Sequence, residues 1–102
     1  MAYEPILPND TANEITEFIQ DRYVGAASQM AAADAIESEI AKVVANPSLG
    51  APVYGGPFES RRIHRFTIEV TETTRTVEFA YKINPGQSVV FSGFREVPPT
   101  PL

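Results

Sequence analysis

Residues 60–66 read SRRIHRF, and they hold the densest set of groups in the chain able to act on an anion. Arg61, Arg62 and Arg65 flank His64, the only histidine. An arginine brings a permanent charge and a planar fork that grips a phosphate or carboxylate at two points. A histidine exchanges a proton near neutral pH. Together they supply what cleavage of RNA by its own 2′-hydroxyl requires. That hydroxyl must lose a proton, the phosphorane must be stabilised, and the leaving oxygen must be protonated. The same residues also suit an ordinary solvated strand end, with charges paired to Glu59, Glu69 or Glu78. On a strand, Arg62 and His64 point one way and Arg61 and Arg65 the other. Arg95, in GFRE, either joins this patch across a sheet or pairs on the surface. Tyr81 reads as a core or rim aromatic, with a stacking platform as the alternative.

The rest of the inventory narrows the chemistry. The chain has 102 residues, with 13 Asp and Glu against 8 Lys and Arg, and no cysteine. A disulfide, a thiolate metal site and a cysteine nucleophile are thereby excluded. With one histidine, a transition-metal centre would need carboxylates in unusual numbers, so no metal and no cofactor is expected. The stretch LGAPVYGGPF is rich in glycine, but no helix follows it to present its N-terminus to a phosphate. Residues 1–52 carry two bases against eight acids, a net charge of −6, while residues 53–102 carry six against five, a net of +1. The acids of the first half suit the solvent faces of helices, so the basic stretch stands out locally within an acidic chain. No apolar run approaches the roughly 20 residues of a membrane span. MAYEPILPND lacks the basic and apolar regions of a secretion signal, which implies a cytoplasmic protein that is not bound to membranes.

The residues able to do chemistry must be positioned by the surrounding elements. YEPIL suits a short strand that Pro5 confines to an edge. Thr11 and Glu14 have the spacing of a capping box. Ile15, Phe18, Ile19 and Tyr23 then form one helical stripe. Gly25 marks a break. A second helix is expected over 27–45, with Met30, Ala33, Ile36, Ile40, Val43 and Val44 on its apolar face. Asn46-Pro47 ends it. The segment 46–57 has three prolines and three glycines and reads as a loop.

The period then drops to two. Three strands are expected: RRIHRFTIEV, RTVEFAYKI and SVVFSGFREV, joined by turns at TETT and NPGQ and closed by the tail PPTPL. A bulge near Arg65 is one way to reconcile the charged and apolar halves of the first of these. The whole is an α+β single domain: a short N-terminal strand, an αα-hairpin, then a three-stranded antiparallel meander with the helices on one sheet face. Phe18, Ile19, Ile40, Val44, Phe79 and Ile83 are expected between the two layers.

This order, with ANPSLGAPV after the helices, then RIHRF, VEFAYKI and VVFSGFRE, resembles the RelE/ParE superfamily of toxins from bacterial toxin–antitoxin, or plasmid-stabilisation, systems. The resemblance spans residues 3–97. It implies a cognate antitoxin as partner and either of two activities. RelE-type members cut ribosome-bound mRNA on a basic sheet face, and ParE-type members bind DNA gyrase. The strand RIHR resembles the family's KIKLR, which sets Arg62 and His64 at the positions of two catalytic lysines. GFRE resembles GKRE, which makes Arg95 a phosphate-binding arginine. Arg62, His64 and Arg95 are therefore the catalytic candidates for a nuclease. Arg61, Arg65, Arg75 and Tyr81 are the binding candidates for an interaction toxin. Glu78 stands where the family's YRLVY has a phosphate-binding arginine, Arg75 lies three residues earlier and either compensates for it or does not, and the tail has no tyrosine. A ParE-like toxin, a RelE-like nuclease and a non-toxic binding module or homodimer all fit these residues.

Overall fold

A computed structural model describes residues 3–52, 61–84 and 86–98. Residues 53–60, Glu59 among them, Pro85 and the tail 99–102 lie outside the described residues. Period-two alternation builds the sheet. In β3 (Arg61–Val70) it buries Phe66, Ile68 and Val70, and in β4 (Thr73–Asn84) Val77, Phe79 and Tyr81. In β5 (Ser88–Glu96) it buries Val89 and Phe91, and Phe94 is buried three positions further on, out of step with the alternation. β3, β4 and β5 form the expected antiparallel meander. Outside it stand β1 (Glu4–Ile6), parallel to β5, and β2 (Ala51–Pro52), antiparallel to β3. The sheet is therefore five-stranded and mixed, in the order β1-β5-β4-β3-β2.

The turn after β3 is shorter than TETT. Val70 pairs with Thr73, so Thr71 and Glu72 alone make it, and Thr71 takes a φ of 57°. β3 pairs with β4 without interruption from Arg61 to Val70, so no bulge lies at Arg65. The irregularity falls on β5 instead. Tyr81 faces Phe91 while Ala80 faces Gly93, which leaves Ser92 as an extra residue.

The helices cover the apolar face. α1 (Asn9–Arg22) contributes Ile15 and Phe18, and α2 (Ala26–Ala45) contributes Ala32, Ile36 and Val43, to one core with the buried strand residues. Ile19, Ile40, Val44 and Ile83 are half-buried against that core, and Phe18 and Phe79 lie inside it. Met30, expected on the apolar face, is 66 % exposed. Gly25 precedes α2 with a φ of 91°, a conformation that glycine adopts without a steric penalty.

The capping box is not formed. α1 begins two residues before Thr11, after Pro8, with no side-chain cap. Thr11 Oγ1 instead donates to the carbonyl of Phe91 at 2.7 Å, and Glu14 Oε1 accepts from the N–H of Phe94 at 3.4 Å. The reason lies in the sheet. β1 covers β5 only along Ser88–Val90, so the rest of that edge would be left unpaired. Side chains of α1 satisfy it. Among the described residues no helix is long and apolar enough to cross a membrane.

Candidate functional site

The alternation of β3 separates the basic residues. Arg62 and His64 lie on the helix-covered face, beside Phe66. Arg62 Nη1 donates to the carbonyls of Gly50 (2.6 Å) and Ser48 (3.4 Å). It ties the segment after α2 to the sheet. His64 Nε2 lies 3.0 Å from Glu39 Oε2 of α2, and its ring stacks on Phe66 with centroids 5.5 Å apart. Both catalytic candidates on this face are therefore engaged with the protein's own layers.

Tyr81 anchors the same segment. It is fully buried. Its hydroxyl donates to the Pro47 carbonyl at 2.6 Å and accepts from the Gly50 N–H at 2.8 Å. Burial pushes its pKa up, and the Gly50 N–H and the Arg62 charge offset this only in part. An enclosed ring of this kind supports the fold and offers no surface for stacking.

Arg75 is placed apart from the other candidates. It shares the helix face with Val77 and binds Glu96 Oε2 at 2.9 Å. Arg22 holds the other oxygen of Glu96 at 2.8 Å. Burial pushes Glu96 up, but its bonds and charges with Arg22 and Arg75 outweigh this and hold its pKa below the usual carboxylate value. Arg75 and Glu78 lie on opposite faces, so Arg75 does not compensate for Glu78.

The uncovered face carries the remaining candidates in rows. Cross-strand register sets Arg65, Glu78 and Arg95 side by side on β3, β4 and β5. The next row is Ile63, Ala80 and Gly93, and the one after is Arg61, Lys82 and Val90. Glu78 is only 4 % exposed. Its Oε2 accepts from Arg65 Nε (3.3 Å) and Nη2 (3.1 Å), and its Oε1 accepts from Arg95 Nε at 2.5 Å. The two arginine side chains remain 59 % and 69 % exposed. Burial pushes the Glu78 carboxyl up, but the two guanidiniums outweigh it and hold the pKa below its ordinary value. The result is a clip of two outward arginines braced on a sunken carboxylate. A shallow cavity of about 270 Å³ adjoins it, with Ile63, Ala80, Gly93 and Phe94 among its walls and Glu14 at its rim.

Arg62, His64 and Arg95 are not brought together. Two sit on the helix side and one on the opposite face. Arg65 and Arg95 are brought together, through Glu78. The alternation of β3 and β4 signals the first contact. The second depends on the extra residue at Ser92, which no periodicity announces. Among the described residues no cluster of three or more histidines and carboxylates is placed to hold a metal. Compared with protein-family models, curated proteins and solved structures, the chain matches none.

Proposed function

We propose that this protein is a toxin of the RelE/ParE type that acts by binding a protein target, as ParE-like members do, within the cytoplasm and under the control of an antitoxin. The order of a short strand, two helices and an antiparallel meander is the order that the resemblance implies. RIHRF, VEFAYKI and VVFSGFRE fall on β3, β4 and β5. The observation that carries the choice between activities is the separation of Arg62 and His64 from Arg95 by the thickness of the sheet. One phosphate cannot touch all three. What the open face offers instead is the Arg65–Glu78–Arg95 clip, a surface suited to charged and apolar contacts with a protein.

The test is induced expression in bacteria. Growth should stop, and should stop equally with His64→Ala, while primer extension finds no new cuts in mRNA. The purified protein should inhibit gyrase supercoiling. If instead His64→Ala reduces mRNA cleavage by roughly 10²–10⁴-fold, the scale of a lost acid or base, the protein is a nuclease. If growth never slows, it is a non-toxic binding module.

A further inference from the structure

We infer that the open sheet face recognises one acidic side chain of an extended protein segment, with an apolar residue two positions away from the acid. The inference deepens the binding reading above by naming the chemistry of the partner at the same face.

Charge sets the valence. The clip holds two arginines and one carboxylate, a net of +1. Around it, Glu14 beside the cavity and Glu69 two rows to one side carry two negative charges, and Lys82 and Arg61 two rows to the other side carry two positive ones, so these four offset one another. A carboxylate neutralises the clip, whereas a phosphate dianion would leave excess negative charge facing a sunken Glu78. The exposed parts of both guanidiniums face outward and can take two points of one carboxylate.

Shape sets the neighbour. One row from the clip, Ile63, Ala80 and Gly93 form an apolar strip in which the small Ala80 and Gly93 beside Ile63 leave the cavity open. A methyl group added at Gly93 would meet only the Ala80 side chain, at 3.9 Å, so this floor has room to spare. Successive rows along a strand are about 7 Å apart, the spacing of residues i and i+2 in an extended partner. An extended segment of pattern Leu-x-Glu therefore sets its acid on the clip and its apolar side chain on the strip.

The probe is the peptide acetyl-Leu-Ser-Glu-Ser-amide, titrated into the full chain and followed by amide and arginine Nε–H NMR resonances. Shifts should centre on Arg65, Arg95, Ala80 and Gly93. The Glu→Gln peptide should bind about tenfold more weakly or worse, the loss of one charge-assisted contact. The phosphoserine peptide should bind no better than the Glu peptide. Arg95→Gln, a change at a side chain that is 69 % exposed, takes one of the two guanidiniums from Glu78 and should remove the Glu preference. Glu78→Gln raises the clip to a net of +2 and should turn the preference toward phosphoserine. Equal binding of the Glu and Gln peptides overturns the inference, as does a phosphoserine preference in the unaltered protein, or a Glu preference that survives Arg95→Gln. Because the titration uses purified protein, it can fail while growth inhibition persists, and the reverse.

Discussion

The hydroxyl of Tyr81 makes two hydrogen bonds inside the protein and also limits the space beside it. A methyl group at Gly50 would lie 2.6 Å from that hydroxyl and 2.8 Å from the carbonyl of Ile63. Glycine stands there for close approach, since the backbone is extended with a φ of −76°. Tyr81→Phe leaves the Gly50 N–H and the Pro47 carbonyl without this partner and should cost roughly 1–3 kcal/mol in denaturant unfolding. Gly50→Ala should cost a similar amount, about 1–3 kcal/mol, by overpacking. In the Tyr81→Phe background the Gly50→Ala cost should fall in part, because the nearest of three obstacles is gone while the Ile63 carbonyl and the ring carbon Cε1 of residue 81, at 2.9 Å, remain. Equal costs in both backgrounds would show that the hydroxyl is not the obstacle. At this scale the sequence is half legible. The pairing of Arg65 with Glu78 follows from residue type and alternation. The role of Tyr81 depends on the path of residues 47–50, which composition alone does not determine.

Elements with a clear period are legible, and those without one are not. β3 and β4 alternate over ten and twelve residues, so their faces can be read directly. β2 has two residues, one a proline, and a pair has no period. Thr11 and Glu14 have the spacing of a cap without forming one, because the same hydroxyl and carboxylate that satisfy a helix end also satisfy a strand edge. β5 shows what a single inserted residue does. Alternation from Val89 and Phe91 would turn position 95 toward the core. The bulge at Ser92 turns Phe94 inward and Arg95 outward, and so creates the clip. The hairpin between β3 and β4 holds a more local strain. Thr71 is β-branched and sits at a φ of 57°, at the first position of a two-residue turn where glycine is the favoured occupant. Thr71→Gly should raise stability by roughly 0.5–1 kcal/mol, the relief of a left-handed backbone less the added freedom of the unfolded chain. A Tm that stays the same or falls would place the strain elsewhere.

The molecule as a whole is electrically lopsided, with the net charge of −6 in the half that forms the helices and a clip of net +1 on the opposite sheet face. An acidic partner is thus drawn to one side and repelled from the other. The covering of β5 has a further consequence, for the order of events during synthesis. Thr11 binds Phe91 across 80 positions, and Glu14 binds Phe94 across another 80. The elements translated first therefore find their docking strand among those translated last. Until β5 emerges, α1 and β1 have no edge to close, while β3 and β4 need only a two-residue turn to pair. Contacts of such long range are slow to form. In refolding followed by pulsed hydrogen exchange, amides of β3 and β4 should gain protection before those of α1. Protection of α1 in the same phase or earlier would mean that the helices organise without the strand they cover. On the expected order, the Val89–Phe94 edge stays bare until the earliest part of the chain folds back onto it, and any binding partner or chaperone present at that stage would meet an apolar strand before it met the clip.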